Sequence, residues 1–123
     1  YHTNTKAGLQ LAQQILRRRK HNNKQIFMIT DGKPSALTEN GRLYTNSFGL
    51  DMKIVNRTLE EADRCRRRRI VITTFMLATD PLLTEFVDKL TRINRGRAYF
   101  ASPYDLGEFV LADYIRNRRR RVR

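Results

Sequence analysis

One aspartate and two threonines are the residues of this sequence whose types and positions suggest chemistry. Asp31 directly follows the apolar run 26–30 and precedes Gly32, while Thr3 and Thr5 stand at the start of a predicted helix. Ligands of open parallel sheets bind beyond the carboxyl ends of the strands, where Asp31 lies. Because a carboxylate and hydroxyls are hard oxygen donors, they predict a site for a cation such as Mg²⁺, with Gly32 allowing a tight turn beneath it.

Two plainer interpretations of these residues remain open. An Asp-Gly pair after a strand often forms only a turn, and Thr3 would also serve as a helix N-cap. Catalysis has less support, since His2 and His21 stand in predicted loops and the sequence has no Gly-rich phosphate loop and no metal-spaced Cys/His cluster. We therefore expect a binding protein and not an enzyme.

Hydrophobic periodicity predicts the elements that would position the site. Helices are expected over 5–19, 51–68, 81–93 and 105–118, and buried strands over 25–30, 70–77 and 97–101. The order αβαβαβα predicts an α/β fold with three layers, in which a mostly parallel sheet of about three strands has helices on both faces.

Local signals mark the ends of these elements. Asp51 and Asp80-Pro81 are expected helix starts, and Asn94-Arg95-Gly96 should end the third helix. Asn40-Gly41 predicts a type I′ hairpin inside the long polar loop 31–49. The apolar stripe of the first helix is expected to face inward and consists of Gly8, Leu11, Ala12, Ile15 and Leu16. Its outer face is expected to consist of Gln10, Gln13, Gln14 and Arg17.

The charge of the chain is strongly positive, with 25 Lys and Arg against 12 Asp and Glu and a net charge of +13. Such a balance predicts attraction to polyanions or acidic proteins. The candidate polyanion contacts lie in three clusters: Arg17, Arg18, Arg19; Arg66, Arg67, Arg68, Arg69; and Arg118, Arg119, Arg120, Arg121. The clusters also fall at predicted helix ends, where cations stabilise the helix dipole, so the sequence leaves both interpretations open.

Length and composition set further limits on the class of protein. The 123 residues fit one domain, and no apolar run approaches the ~18 residues of a membrane span. The only cysteine, Cys65, falls at a core position of the second helix and can form no intrachain disulfide. We expect a cytoplasmic protein that does not enter a membrane.

The segments HTNTKAGL and IFMITDGKP together resemble two of the three segments of the metal-ion-dependent adhesion site (MIDAS) of von Willebrand factor A domains. The later stretches ITTFMLATDPLLTEFVDKLTRINRGRAYFAS and DLGEFVLADYIRNRRR resemble the bacterial subgroup associated with MoxR-type AAA+ ATPases. The resemblance covers essentially the whole chain. It implies that Thr3 and Asp31 are metal ligands and that Thr5 and Gly32 support the site.

The sequence departs from that family in one respect. The family's first metal segment, Asp-x-Ser-x-Ser, is absent from residues 1–123. The resemblance therefore implies the C-terminal portion of a single von Willebrand A-like domain, a truncated Rossmann-like fold without its N-terminal strands. Two protein oxygens would hold Mg²⁺ weakly or not at all, because this ion demands near-octahedral geometry.

The expected function follows from the resemblance. It implies a metal-ion-dependent protein-binding or adaptor module, in which the cation bridges to a carboxylate of a MoxR-type AAA+ ATPase or of its client. The alternative is a basic nucleic-acid-binding protein that uses its arginine clusters without sequence specificity. The clusters lack the interleaved aromatic residues that single-strand binders use for stacking. We also expect the isolated chain to form a homo-oligomer, because strand 25–30 would lack a neighbour on one side.

Overall fold

A computed structural model describes residues 3–20, 22–46, 48–78 and 80–101. Their elements, in chain order, are α1 (Thr5–Arg17), β1 (Lys24–Thr30), β2 (Ala36–Glu39), β3 (Arg42–Thr45), α2 (Met52–Arg67), β4 (Ile70–Met76), α3 (Pro81–Asn94) and β5 (Arg97–Phe100). Every helix and strand predicted within these ranges is present. The predicted helix 105–118 and Arg118, Arg119, Arg120 and Arg121 lie outside the described residues.

The central sheet has three parallel strands in the order β1-β4-β5. Lys24 pairs with Ile70 and Thr30 with Met76, so β1 and β4 start and end level with each other. Parallel neighbours need a crossover connection, and the helices α2 and α3 provide the two crossovers. The predicted α/β fold, a parallel sheet flanked by helices, is confirmed.

One hydrophobic core joins the three helices to the sheet. It consists of the buried residues Leu9, Val55, Ala62, Cys65, Ile70, Ile72, Leu83, Phe86, Val87 and Leu90. Ile26 and Met28 of β1, which are partly buried, pack against it. Side chains alternate between the faces of a strand, and Phe75 therefore points away from Ile72. Its ring lies between those of Phe27 and Tyr99, at centroid distances of 6.2 and 5.6 Å.

The predicted starts and turns are confirmed at the level of single hydrogen bonds. The Asp51 side chain accepts from the backbone N–H of Ile54, and that of Asp80 accepts from Leu82. Asn40 and Gly41 both have positive φ, 53° and 74°, as a type I′ turn between β2 and β3 requires.

None of the helices in the described ranges is long and apolar enough to cross a membrane.

Asn94 ties the end of α3 to the first residues of β4. It is buried, its Oδ1 accepts the backbone N–H of Ile72 at 2.8 Å, and its Nδ2 donates to the carbonyls of Ile70 and Ala62. The backbone of Gly96, two residues later, approaches β4 so closely that a Cβ atom at this position would lie 2.1 Å from the carbonyl oxygen of Ile72. The sequence predicted only a helix stop here, but these residues also fasten α3 to the sheet.

Two burial predictions for the first helix and strand were wrong. Strand β1 is only half-buried, with Ile29 50% exposed, because it pairs with β4 alone among the described strands. Leu11 and Ile15, predicted to face inward, are 59% and 55% exposed.

A polar side chain takes the inner position on α1 instead. Gln13, predicted to face solvent, is 2% exposed, and its Nε2 donates to the buried Glu61 carboxylate of α2 at 2.8 Å. Helix α1 thus packs on α2 through Leu9 and Gln13, and its apolar stripe is left largely uncovered.

Candidate functional site

Asp31 lies at the carboxyl end of β1, as the sequence predicted, and its side chain is exposed. The Thr30 hydroxyl shapes the turn around it, donating to the Gly32 carbonyl at 2.8 Å and accepting from the Gly32 N–H at 3.3 Å. The Leu77 N–H donates to the Thr30 carbonyl at 2.9 Å and fixes the strand end to the chain following β4. The turn interpretation and the site interpretation are therefore compatible, because the turn presents the carboxylate to solvent.

Thr3 is held in place by Ser35. The Thr3 N–H donates to Ser35 Oγ, the Ser35 N–H donates to the Thr3 carbonyl, and both distances are 2.8 Å. Asn4 is the N-cap of α1, since its side chain accepts from the Ala7 N–H at 3.0 Å. The alternative of Thr3 as N-cap is therefore wrong. The described residues supply no hydrogen-bond partner to the Thr3 hydroxyl, which leaves its oxygen available to a ligand.

A cleft of ≈ 330 Å³ runs along β1 and α1. Three threonines are among its lining residues, Thr3, Thr5 and Thr30, and the remaining lining is apolar, namely Gly8, Leu9, Ala12, Ile26, Phe27, Met28 and Ile29. The structure thus brings Thr3 and Thr5 to one cleft together with the residue that precedes Asp31.

The donor types at this edge suit a hard cation. Thr3 offers a hydroxyl oxygen and Asp31 a carboxylate, the ligands that Mg²⁺ prefers. Within the described ranges no group of three or more His, Cys, Asp or Glu residues could hold a metal ion. The residues therefore fit Mg²⁺ in kind but supply too few oxygens, and metal binding stays a prediction.

A relay of hydrogen bonds connects Thr3 to the start of α2. The Asn46 N–H donates to the Ser35 carbonyl at 2.9 Å, and Asn46 Nδ2 donates to Asp51 Oδ2 at 2.9 Å. The Tyr44 hydroxyl donates to the same oxygen at 2.7 Å. The hydrogen bonds that the Asp51 carboxylate accepts lower its pKa to about 2. The bond from Tyr44 is the largest cause, followed by those from the Asn46 side chain and the Ile54 N–H. The sequence identified Asp51 as a cap but gave no sign of the roles of Ser35, whose partner Thr3 lies 32 positions away, and of Asn46.

The two arginine clusters within the described residues, 17–19 and 66–69, lie away from this edge, at the carboxyl ends of α1 and α2. Arg17 is in the last turn of α1, and Arg66 and Arg67 are in that of α2. Arg66 and Arg67 both contact Asp63, and Arg68 Nη1 donates to Gln13 Oε1 at 2.8 Å. The predicted helix-end positions are confirmed for these two clusters, and part of their charge serves the fold.

Cys65 is a core residue, as predicted. Burial raises the pKa of its thiol to about 11, with a smaller contribution from the Glu61 carboxylate. The thiol is therefore protonated at neutral pH, and this state does not favour nucleophilic chemistry.

Comparison with known proteins identifies the family. The family described as "Rv0959-like protein, vWA domain" matches residues 1–115. The chain belongs to this vWA family. Relatives of the vWA chain include proteins of Mycobacterium tuberculosis and Mycobacterium bovis, named as uncharacterized, each 31% identical over 122 residues. These alignments cover 96% of the vWA chain and 18% of each relative, so the chain spans less than a fifth of the length of the curated relatives it matches.

Proposed function

We propose that this vWA chain is a protein-binding module whose contact surface is the carboxyl-end edge of β1, where a cation bridges to the partner. Thr3 and Asp31 are the residues of this chain that would hold the cation. The observation that carries the proposal is the exposed Asp31 carboxylate, which follows β1 beside the cleft lined by Thr3 and Thr5. Membership of the vWA family supports a role in protein interaction.

The remaining metal oxygens, we propose, come from an Asp-x-Ser-x-Ser segment that lies outside residues 1–123. Its strand would pair with the second edge of β1, which has no partner among the described strands. The exposed apolar side chains Leu11, Ile15 and Ile29 lie on α1 and β1, next to where such a strand would pack. On this proposal residues 1–123 are the C-terminal portion of one vWA domain.

Each residue of the edge has a distinct task in this proposal. Asp31 supplies negative charge, and Thr3, whose backbone is held by Ser35, supplies a neutral hydroxyl oxygen. Thr30 orients the Asp31–Gly32 turn. A bound cation supplies an open coordination position that a carboxylate of the partner can fill. The expected activity is therefore adhesion and not catalysis.

The partner class that the sequence resemblance suggests is a MoxR-type AAA+ ATPase or a client of one. The test is surface plasmon resonance of the chain, extended by the first metal segment, against such an ATPase with Mg²⁺ or with EDTA. We expect Mg²⁺-dependent binding that Asp31→Asn abolishes and Asp88→Asn leaves unchanged, since Asp88 is an exposed acid on α3. Binding that is equally strong in EDTA, or insensitive to Asp31→Asn, would contradict the proposal.

A further inference from the structure

The carboxyl ends of α1, α2 and α3 meet at one edge of the sheet, opposite to Asp31. The paired residues Lys24 and Ile70 begin β1 and β4 at this edge. Arg68 of the α2 C-cap donates to Gln13 of α1, and Asn94 at the end of α3 donates to the carbonyl of Ile70. These contacts draw the three helix ends together at the amino-terminal edge of the strands.

Cations that pair with no acid among the described residues accumulate at this edge. The group, which we call the basic pole, consists of Arg17, Arg18, Arg19, Lys20, Arg69 and Arg95. All six are exposed, and no acidic residue in the described ranges forms an ion pair with any of them. By contrast, Arg64, Arg66, Arg67 and Arg92 each contact a carboxylate of their own helix.

Stabilisation of the helix dipoles does not account for the whole pole. The dipole effect falls off within the last turn of a helix. Arg19 and Lys20 lie beyond the C-cap of α1, and Arg69 lies beyond that of α2 with a positive φ of 60°. Clustered like charges also repel one another, so the pole costs stability unless something neutralises it.

We propose that the basic pole is a second interaction surface, which binds a carboxylate-rich protein segment. Arginine matches the planar carboxylate with a rigid fork of donors. The neighbouring Asp63 shows this mode of binding, since Arg66 Nε and Nη2 donate to its Oδ1 at 3.1 and 2.9 Å and Arg67 Nε lies 3.3 Å from its Oδ2. Carboxylates of a partner would be held by the free arginines of the pole in the same way.

Acidic protein is favoured over nucleic acid by the surroundings of the pole. Single-strand binders add aromatic side chains on which bases stack. In the described part of the chain, the exposed aromatic residues Tyr44, Phe48 and Phe100 belong to the hairpin, the loop after it and the far end of β5. As far as the described residues go, the pole therefore offers charge and arginine geometry without a stacking platform.

Binding at the pole is independent of the proposed cation site. The two surfaces lie at opposite ends of β1, so the pole should bind its partner equally well in Mg²⁺ and in EDTA. Loss of binding at one surface would consequently leave the other intact, and the two proposals can fail separately.

The test is fluorescence anisotropy with labelled poly-L-glutamate, duplex DNA and anionic lipid vesicles as probes, at physiological salt. The pole variant is Arg18→Glu/Arg19→Glu, and the matched control is Arg42→Glu/Lys53→Glu near the hairpin. Each variant replaces two cations by two anions and so lowers the net charge of +13 by four, to +9. We expect polyglutamate affinity to fall about tenfold in the pole variant and about twofold in the control.

Three results would overturn the proposal. Equal losses in both variants would show that the net charge alone attracts the probe. Tighter binding of DNA or of vesicles than of polyglutamate would assign the pole to a different class of partner. Release of polyglutamate by EDTA would place its binding at the cation site.

Discussion

Thr3 and Ser35 donate a hydrogen bond to each other, both of 2.8 Å, although 32 positions separate them in the sequence. Ser35 is in turn bonded to Asn46, and Asn46 to Asp51 at the start of α2. The backbone of the threonine proposed to bind the cation is therefore tied to the hairpin segment and, through it, to α2.

The Ser35 hydroxyl should be essential to this arrangement. Ser35→Ala leaves the Thr3 N–H without its acceptor, and the loss of a part-buried hydrogen bond costs about 0.5–1.5 kcal/mol. We expect a loss of that size in urea denaturation and faster amide exchange at Thr3. The control is Thr38→Val, which removes only an exposed bond to Asn4. A smaller loss in Ser35→Ala than in the control would show that the bond does not hold Thr3.

The carboxylate of Asp51 should make the stability of the hairpin segment depend on pH in the acidic range. Its pKa is lowered from 3.8 to about 2, chiefly by the Tyr44 hydroxyl. Because the unfolded chain binds this proton more readily, the stabilisation is fully present above pH 3.8 and is lost as the pH falls through about 2.

The measurement is an NMR titration of the Asp51 carboxyl carbon. Tyr44→Phe removes the hydroxyl that contributes most to the lowered pKa of Asp51, and should therefore move this pKa upward, toward 3.8. Titration of wild-type Asp51 at its ordinary pKa, or no response to Tyr44→Phe, would show that the hydrogen bond is absent in solution.

Replacement of two glycines by alanine should change the stability of the chain in opposite directions. Gly96→Ala places a Cβ atom 2.1 Å from the Ile72 carbonyl oxygen, and overpacking of this kind costs about 1–3 kcal/mol or more. Gly8, within α1, has no atom within 4 Å of the same position. Gly8→Ala should therefore stabilise the chain by up to about 1 kcal/mol through helix propensity. Thermal denaturation of both variants checks the pair, and a Gly96→Ala variant as stable as wild type would refute the close approach.

The elements predicted well are those with local causes. Asp51 and Asp80 cap the helices that follow them, and Asn40-Gly41 is one of the few residue pairs that readily adopt two successive positive φ values. The position of Asp31 after β1 was equally local. Each of these signals depends on residues within a few positions of one another.

The features that the sequence did not predict depend on distant partners. Gln13 is buried because the Glu61 carboxylate, 48 positions away, accepts its amide. The half-buried state of β1 likewise depends on which strands adjoin it: the hydrophobic pattern of residues 25–30 indicated burial on both faces, and the missing neighbour was expected only from the family resemblance. The bond between Thr3 and Ser35 was missed for the same reason.

The edge of β1 that no described strand covers should make the isolated chain self-associate. Unpaired strand edges beside apolar side chains invite pairing with another chain, and here Ile29, Leu11 and Ile15 are exposed. The net charge opposes association, but screening limits its range to about 8 Å at physiological salt. Light scattering at several concentrations should reveal dimers or larger species.

A matched pair of variants locates the association. Ile29→Lys introduces a charge on the β1 edge and should give a monomer, whereas Leu43→Lys, on the equally exposed hairpin, should not. A wild-type monomer in which the amides of residues 26–30 are protected from hydrogen exchange would contradict the prediction, because something in the chain would then cover the edge.

The most direct test of the cation proposal is paramagnetic line broadening by Mn²⁺, a hard cation that shares the oxygen preference of Mg²⁺. We expect weak binding to the 123-residue chain, with the amide signals of Thr3, Asp31 and Gly32 broadened first. Asp31→Asn should abolish this localised effect and Asp88→Asn should preserve it. Broadening spread evenly over exposed acids, or centred away from Thr3 and Asp31, would contradict the assignment of these two residues to a cation site.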